Sequence, residues 1–423
     1  MDNDPIEYRM TAHLFGATSS PGCANVGLKT TADDYERECG SQAANFVRNN
    51  FYVEDGLKSV SSPTHAISLI EKTKTLCKKA GFRLHKIISN SKEVIPREER
   101  AKGIQDLDRT CEVLSVEKAL GVQYCVESDT LQFRIELTDR PFTRRGILST
   151  VSSVFDPLGV LATFVLIGKK IFQELCKEGT NWDDRVPDYL LTRWERWRND
   201  IRLLANIKIP HCYKPEDFGE VKAVEMHNFS DASEEGYGQC SYLRLVNSQG
   251  RIHCLLVLAK SRVAPLKPVT TPRLELTVAL VTAKVGTLLK RELEYEEVNE
   301  VFWTDSKVVL GYISNSARRF HVFVSKIIQQ IRDLTSRGQW RYIESKANPA
   351  DFVSRGLHAQ DLIDKKEWWS GPKFLWTNFD TQHGVINNVT LSPQDPEVRK
   401  ISALATGATE PADIEERSCY FSS

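Results

Sequence analysis

Apolar residues between positions 222 and 357 recur with two different periods, and the changes of period predict the order of the elements. Two strands are predicted over 236–245 and 252–258, because turn residues (Asn-Ser-Gln-Gly) separate them into a hairpin. A helix is predicted to begin at Thr271, since Pro272 suits a first turn and apolar residues follow at helical spacing. These apolar residues are Leu274, Val278, Val281, Val285 and Leu288.

The second half of this segment predicts strands that alternate with helices. A strand ends at Asp305, helices follow over 306–313 and 320–334, and a further strand covers 340–343 before a short helix after Pro349. With the apolar stretch that ends at Asp231 as a first strand, the predicted order is three strands, a helix, a strand, helices, a strand and a last helix.

Four carboxylates lie at different places in this order. Asp231 and Asp305 each end an apolar stretch, Glu275 lies near the start of the predicted helix, and Asp351 follows a proline. Acids gathered from separate elements are what two-metal phosphodiester chemistry requires, because divalent ions about 4 Å apart take oxygen ligands. The alternative is a solvated surface, since acids are mostly exposed and the 423 residues include 56 Asp and Glu. The combined settings favour the metal site.

The order of elements and acids resembles the RNase H fold over about residues 222–357. Four strings in this segment are similar to the RNase H region of BEL/Pao-type retrotransposon Pol polyproteins, and they follow one another in that family's order. The strings occupy 229–233, 272–276, 303–306 and 348–356. The resemblance implies an α/β fold, with a mixed five-stranded RNase H-like sheet and flanking helices.

The same resemblance implies a hydrolase, an endonuclease that cleaves the RNA strand of an RNA–DNA hybrid with two Mg²⁺ ions, Mn²⁺ being a possible substitute. Asp231, Glu275 and Asp305 would hold one ion, and Asp231 and Asp351 the second. Water would attack the phosphate in line and leave a 3′-hydroxyl and a 5′-phosphate. Many RNase H enzymes add a histidine near the last carboxylate. Here His358 lies beyond the motif, so slower turnover is expected.

The resemblance extends over roughly residues 5–380. Tyr52, Val53, Glu54 and Asp55 are similar to the reverse-transcriptase hairpin that presents paired aspartates. Further matches to the palm, thumb and connection, and to the segment after the RNase H region, lie at 14–21, 81–86, 120–122, 153–159, 182–183 and 368–372.

These matches imply five consecutive regions. The expected regions are a partial α+β reverse-transcriptase palm over 1–139, a helical thumb and connection over 140–210, an RNase H-like domain over 222–357, a Trp-containing extension over 358–390 and a disordered tail over 391–423. The apolar stretch 158–167 is expected to be a buried helix, because it is too short to span a membrane.

Two departures weaken the polymerase interpretation. Only residues 1–10 precede the nucleotide-lining segment, so the fingers and the first catalytic strand have no counterpart. Glu54 replaces the first aspartate of the pair, and its extra methylene moves the carboxylate by about 1 Å. A displacement of that size costs about 10²-fold in rate. We therefore expect a Pol fragment whose palm is inactive alone, unless other Pol segments restore it.

Composition narrows the setting of the protein. The ten cysteines include no Cys-x-x-Cys pair, which favours reduced thiols in the cytoplasm or nucleus over zinc sites. No apolar run approaches the length of a membrane span, so no membrane partner is expected.

The net charge of zero means that nucleic acid would have to be bound by local basic patches. The candidate contacts are Lys86, Arg144, Arg145, Arg318 and Arg319. Taken singly, each of these patches also fits an ordinary solvated face.

Two other functions compete with hybrid cleavage. A decayed element could leave a nucleic-acid-binding relic that keeps the fold without catalysis. An aspartic peptidase is the other alternative, because labels for this family mention one. That chemistry needs an Asp-Thr-Gly or Asp-Ser-Gly turn, and the sequence contains neither triplet.

Overall fold

The structure is a computed structural model, in which the chain folds into two compact units. Unit 1 comprises Met1–Glu220 with Gly356–Lys366, and unit 2 comprises Val221–Arg355 with Glu367–Ser423. The residues that the structure describes are 16–52, 55–85, 87–94, 116–119, 122–126, 128–133, 135, 137–315, 319–378, 383–385, 391–392 and 394–399.

Unit 1 begins with three helices, α1 (Ser20–Cys39), α2 (Ser41–Asn50) and α3 (Pro63–Lys79). A turn at Gly40, with φ of 91°, joins α1 to α2, and this left-handed conformation favours glycine. Apolar side chains of the three helices form one buried cluster, which includes Leu28, Ala32, Ala43, Val47, Leu76 and Cys77.

Short strands follow these helices in unit 1. Strands β1 (Phe51–Tyr52) and β2 (Asp55–Gly56) pair antiparallel. A four-stranded antiparallel sheet has the order β3-β4-β5-β6. Its strands are β3 (Val116–Ala119), β4 (Val122–Cys125), β5 (Thr130–Gln132) and β6 (Lys208–Pro210).

The described residues between β5 and β6 include three helices and a 3₁₀ turn. The helices are α4 (Arg144–Ser153), α5 (Ala162–Lys177), α6 (Asp188–Asp200) and a 3₁₀ turn over Ile201–Asn206. Trp197 anchors this group, because its ring stacks on Phe164 at 4.9 Å and its indole N–H donates to the Phe164 carbonyl at 2.9 Å. The second half of the apolar stretch 158–167 lies in a buried helix, as predicted. That helix begins only at Ala162 and continues to Lys177.

Unit 2 contains a mixed five-stranded sheet with the order β11-β10-β7-β8-β9. The three strands that come first along the chain, β7, β8 and β9, form an antiparallel meander. Strands β10 and β11 run parallel to β7. This arrangement confirms the predicted mixed sheet. The strands are β7 (Val221–Ala232), β8 (Gly236–Asn247), β9 (Ile252–Val263), β10 (Asn299–Thr304) and β11 (Trp340–Tyr342).

The four helices predicted for this region are also present within a few residues of their expected bounds. They are α7 (Thr271–Glu292), α8 (Lys307–Ser314), α9 (Val322–Leu334) and α10 (Ala350–Arg355). Helix α7 packs on β7 and β8, and α9 packs on α7. The apolar faces between them are fully buried, so the helical spacing that predicted α7 reflects its core-facing side.

Helix α10 lies unusually close to the sheet. A Cβ built on Gly238 of β8 would lie 2.3 Å from Val353 Cγ1 and 2.5 Å from the Lys260 carbonyl oxygen. Only glycine permits this approach, because backbone on one side and a packed side chain on the other leave no room. The absence of a side chain at Gly238 therefore permits the short distance between α10 and β8.

The segment expected to be a disordered tail is described in part, at 391–392 and 394–399. Residues 394–399 pack on unit 2, where Val398 pairs with Phe320 in a β-bridge. Glu397 is buried and accepts two hydrogen bonds from Arg273, at 2.6 and 3.1 Å. These contacts supply the order that the composition of this segment does not predict. Two further short helices precede residues 394–399 along the chain. They are α11 (Ala359–Asp364), in unit 1, and α12 (Lys366–Ser370).

Within the residues that the structure describes, none of the helices has the length and apolar character needed to span a membrane.

Candidate active site

The pairing of β7 with β10 brings two of the four predicted acids together. Ser230 on β7 is in register with Thr304 on β10, and the two strands are parallel. Asp231 and Asp305 each follow one of these residues, so their carboxylates lie at the same edge of the sheet. A side-chain hydrogen bond between the two strands also supports this register, because the Ser230 hydroxyl donates to the Trp303 carbonyl at 3.2 Å.

Helix α7 supplies the third acid, Glu275. The helix begins at Thr271 and packs on β7, which places its first turns beside the strand that carries Asp231. A side-chain hydrogen bond joins Glu275 to Ser306, the residue after Asp305. Ser306 also caps α8, since its hydroxyl accepts from the Val309 N–H at 3.2 Å. One serine thus fixes both the start of α8 and the Glu275 carboxylate.

Helix α10 supplies Asp351 and is tied to the end of β7. The Asn348 side-chain amide donates to the Ser230 carbonyl at 3.0 Å, and the Ser354 hydroxyl donates to Asp231 Oδ2. Arg355 lies one turn after Asp351, and its Nε is 2.5 Å from Asp351 Oδ1. All four predicted acids therefore lie on elements that meet at one edge of the unit 2 sheet. We call Asp231, Glu275, Asp305 and Asp351 the carboxylate cluster.

The members of the carboxylate cluster influence one another electrostatically. Burial raises the pKa of Asp231 to about 6, the charges of Asp305 and Asp351 act in the same direction, and the Ser354 hydrogen bond opposes them. Burial also raises the pKa of Glu275 to about 7, with contributions from Asp305 and Asp231 and an opposing hydrogen bond from Ser306. The carboxylate cluster thus brings several negative charges together where they are partly shielded from water.

The chemistry of this donor set fits hard divalent cations. All four side chains offer carboxylate oxygens, which suit Mg²⁺ and Mn²⁺, and no thiolate or imidazole belongs to the cluster. Burial is the main cause of the raised pKa of Asp231 and Glu275, and a cation would offset the mutual repulsion that adds to it. Among the described residues, however, no three His, Cys, Asp or Glu side chains are arranged at metal-ligand spacing. Each carboxylate instead accepts a hydrogen bond from the protein.

Sequence reasoning missed the donors that hold these carboxylates. Ser354 and Arg355 follow Asp351 by three and four residues, so helical spacing could have found them. Ser306 carries the signal of an N-cap residue before an apolar helix. Ser345 gives no such signal, because its hydroxyl reaches Asp305 Oδ2 at 2.6 Å from a 3₁₀ turn after β11.

His358, the weak candidate for a proton-transfer histidine, has another partner. Its Nδ1 lies 3.2 Å from Asp200 Oδ2, and both residues belong to unit 1. This pairing gives His358 a structural contact within unit 1.

The predicted nucleic-acid contacts have different surroundings. In unit 1, the Arg144 guanidinium lies 4.3 Å from the centre of the Trp182 ring and donates to the Thr180 carbonyl, and Arg145 forms a fork with Asp183 at 2.9 and 3.0 Å. Arg319, in unit 2, is exposed. Lys86 and Arg318 lie outside the described residues.

The polymerase-like motif is only partly described. Tyr52 and Asp55 face each other across the β1–β2 pair, and Tyr52 is 66% exposed. Val53 and Glu54, which include the position that would carry the first aspartate, lie outside the described residues.

The sheet order and the parallel placement of β10 and β11 beside the meander agree with the RNase H-like fold predicted from the sequence. Residues 143–306 match a family model described as the Pao retrotransposon-like RNaseH-like domain. The resemblance to BEL/Pao-type Pol polyproteins is therefore supported. The match spans α4 to α6 of unit 1 and the first four strands of unit 2, and includes Asp231, Glu275 and Asp305.

Solved structures similar to this chain include two RNase H domains. One is the N-terminal RNase H domain of a Mycobacterium tuberculosis protein, solved as a fusion with maltose-binding protein, at 14% identity and a TM-score of 0.23, covering 33% of this chain and 99% of that one. The other is RNase H1 from Halobacterium salinarum, at 12% identity and a TM-score of 0.22, covering 34% and 98%. No curated protein matches the chain.

Proposed function

We propose that unit 2 is a divalent-cation-dependent endonuclease that cleaves the RNA strand of RNA–DNA hybrids. The observation that carries this proposal is the register of two parallel strands, which puts Asp231 and Asp305 side by side. Glu275 joins them from α7, and Asp351 from α10. Four acids from four elements in one place would repel one another without a cationic ligand.

In the proposed reaction, Asp231, Glu275 and Asp305 would hold one Mg²⁺ or Mn²⁺ ion, and Asp231 and Asp351 would hold the second. Two such ions, when bound, supply an activated water and charge stabilisation at the scissile phosphate. The chain's own residues orient the ligands: Ser354 holds Asp231, Ser306 holds Glu275, and Ser345 holds Asp305. Because no histidine is found beside Asp351 in the sequence, proton transfer would rely on solvent.

Cleavage of a labelled RNA–DNA hybrid with Mg²⁺ tests the proposal. The wild-type chain should cut the RNA strand and leave 3′-hydroxyl ends, and Asp305→Asn should abolish the cut. Asp333→Asn is the matched control, since Asp333 is an exposed acid of α9 whose loss changes the net charge equally. Equal activity of Asp305→Asn and wild type would refute the assignment.

A second candidate is a nucleic-acid-binding protein without catalysis. It is favoured by the absence, among the described residues, of three acidic groups at metal-ligand spacing, and by the protein donor on every cluster carboxylate. In that case both wild type and Asp305→Asn would bind the hybrid with equal affinity and leave it intact at any divalent-cation concentration.

For unit 1 we propose that the palm-like segment lacks DNA polymerase activity on its own. Glu54 stands where the reverse-transcriptase motif has an aspartate, and that substitution supports the proposal. Primer extension on an RNA template should give no product with this chain, and product formation on adding separate Pol segments would show that a partner restores the site.

A further inference from the structure

The acids of the carboxylate cluster accept hydrogen bonds from two kinds of donor. Three of them accept from serine hydroxyls, which carry no charge. These pairs are Ser354 with Asp231, Ser306 with Glu275 and Ser345 with Asp305. Asp351 instead accepts from a guanidinium, because Arg355 Nε lies 2.5 Å from Asp351 Oδ1. The cluster therefore contains a cation supplied by the chain itself, and this cation lies on Asp351.

The charge of Arg355 acts on more than one acid. The hydrogen bond with Asp351 raises the pKa of Arg355, and the charges of Asp351, Asp231 and Glu235 act in the same direction. Burial raises the pKa of Asp231, and the charge of Arg355 opposes that rise. Arg355 thus offsets part of the negative charge of Asp231 and Asp351, the two acids proposed as ligands of the second ion.

The backbone beside Arg355 is anchored, whereas its side chain faces solvent. The Ser233 hydroxyl donates to the Ser354 carbonyl at 3.0 Å, and the Ser354 hydroxyl donates to Asp231. The Arg355 side chain is 69% exposed, and the Asp351 side chain 31%. Exposed ion pairs contribute little free energy. The guanidinium can therefore leave Asp351 at a small cost while α10 stays attached to the end of β7.

We propose that Arg355 is an internal counter-ion that competes with the second divalent cation for Asp351. This inference rests on the proposed function for the two-ion arrangement. Arg355 must release Asp351 before that carboxylate can join Asp231 as a ligand. The three acids held by serines have no charged partner to displace, because a hydroxyl leaves their negative charge in place. The chain without nucleic acid should therefore bind one divalent cation more tightly than the other.

Titration of the full chain with Mn²⁺, with the free ion measured by electron paramagnetic resonance, counts the bound ions and separates their affinities without any cleavage. Wild type should bind the second ion about tenfold or more weakly than the first, since the second ion has to displace a cation. Arg355→Gln should leave the first affinity within about twofold and tighten the second by about three- to tenfold, because it removes both the competing bond and a like charge.

Two further variants serve as controls. Arg291→Gln removes an exposed arginine that pairs with Glu292 at 2.6 Å in the last turn of α7, at the opposite end of that helix from Glu275. Both Mn²⁺ affinities of this variant should stay within about twofold of wild type. Arg355→Lys keeps the charge but loses the planar guanidinium donors, so its second affinity should lie between those of wild type and Arg355→Gln.

A purely orienting role for Arg355 gives the opposite result. If the guanidinium holds Asp351 in place as a metal ligand, Arg355→Gln should weaken the second ion, and that outcome would overturn the proposal. Thermal melting supplies a second measurement. Without metal, Arg355→Gln should melt at a lower temperature than wild type, because the acids lose their internal cation, and saturating Mn²⁺ should raise its midpoint by more than it raises that of wild type.

The failure of this inference differs from the failure of the proposed function. If wild type binds Mn²⁺ and cleaves the hybrid while Arg355→Gln leaves both affinities unchanged, the counter-ion assignment is wrong and the nuclease stands. If the second ion binds more tightly to Arg355→Gln but neither protein cleaves, the counter-ion stands and the nuclease fails. An absence of Mn²⁺ binding in both proteins would overturn the two proposals together.

Discussion

The two ends of helix α8 in unit 2 differ in the sign of the charge that the fold collects there. Before its N-terminus lies the carboxylate cluster, where burial and mutual repulsion raise the pKa of Asp231 and Glu275. At its C-terminus lies a cavity of about 400 Å³, called here the basic cavity, whose lining includes the cationic side chains of Arg319, Lys326, Arg332 and Arg399. The acidic end suits divalent cations and the basic end suits phosphate.

The carboxylate cluster and the basic cavity also differ in the contacts that position their side chains. The carboxylate cluster rests on strand register and on helices α7 and α10, and each acid accepts a hydrogen bond from a serine or an arginine. The basic cavity relies mainly on exposed side chains, with only Arg332 bound to helix carbonyls. Substitutions in the carboxylate cluster should therefore alter the proposed hybrid cleavage strongly.

The largest expected effect comes from removing one charge of the carboxylate cluster. Asp305→Asn should lower the rate of hybrid cleavage at saturating Mg²⁺ by about 10²-fold or more, because the asparagine amide cannot replace an anionic metal ligand. Single-turnover cleavage assays measure this change. Asp333→Asn should stay within about twofold of wild type, and a comparable loss in that control would point to a general charge effect.

The second expected effect concerns the stability of the metal-free protein. A raised pKa in the folded state stabilises the fold below the unfolded pKa, and this stabilisation is lost as pH rises through the folded pKa. For Asp231 and Glu275, with ordinary values near 4 and folded values of about 6 and 7, metal-free stability should fall between about pH 4 and pH 7. Urea unfolding in EDTA measures it.

Glu275→Gln sharpens the same test. It removes the charge that is most disfavoured at pH 8, so the metal-free variant should be more stable than wild type by roughly 1–3 kcal/mol, given about 1.4 kcal/mol per pKa unit. Mg²⁺ should stabilise wild type and leave the variant nearly unchanged. A variant that is less stable than wild type at pH 8 would mean that Glu275 is held by favourable contacts alone.

The third effect tests the packing that carries Asp351. Gly238→Ala would place a methyl group against Val353 and the Lys260 carbonyl, so we expect a loss of stability of about 1–3 kcal/mol and reduced cleavage. Gly338→Ala is the control, because a Cβ at Gly338 meets no atom within 4 Å. Urea unfolding of both variants, followed by cleavage assays under folded conditions, separates stability from activity.

The smallest effect should come from Ser354→Ala. The Ser354 hydroxyl lowers the pKa of Asp231, so its loss should raise that pKa and move the acidic limb of the pH–rate profile to higher pH. The shift should be about one pH unit or less, with activity recovering at pH 8.5. A uniform loss of rate at every pH would indicate that Ser354 only supports the packing of α10.

Much of unit 2 could be predicted from the sequence, because its apolar residues recur with a regular spacing over long segments. The hairpin β8–β9 has turn residues between two apolar runs, and α7 shows helical spacing over many residues. The four acids were found because each lies beside such an element. Their mutual approach could not be derived from spacing alone, since it depends on the register of Ser230 with Thr304.

Other features escaped sequence reasoning for physical reasons. The ordered segment 394–399 depends on Glu397 meeting Arg273, a pair separated by 124 positions along the chain. The basic cavity depends on the β-bridge that brings Arg399 beside Arg319. Both are long-range contacts between segments with weak local patterns, and local composition gives no information on them.

Calorimetric titration of Mg²⁺ into the full chain at pH 7, in two buffers with different ionisation enthalpies, tests the central claim most directly. Because Glu275, with a pKa of about 7, is partly protonated at pH 7, and Asp231, with a pKa of about 6, is so to a smaller extent, cation binding at the carboxylate cluster should release protons, and the apparent enthalpy should depend on the buffer. Glu275→Gln should weaken binding and reduce the proton release. An absence of binding heat in both buffers, or identical titrations for wild type and Glu275→Gln, would contradict the account.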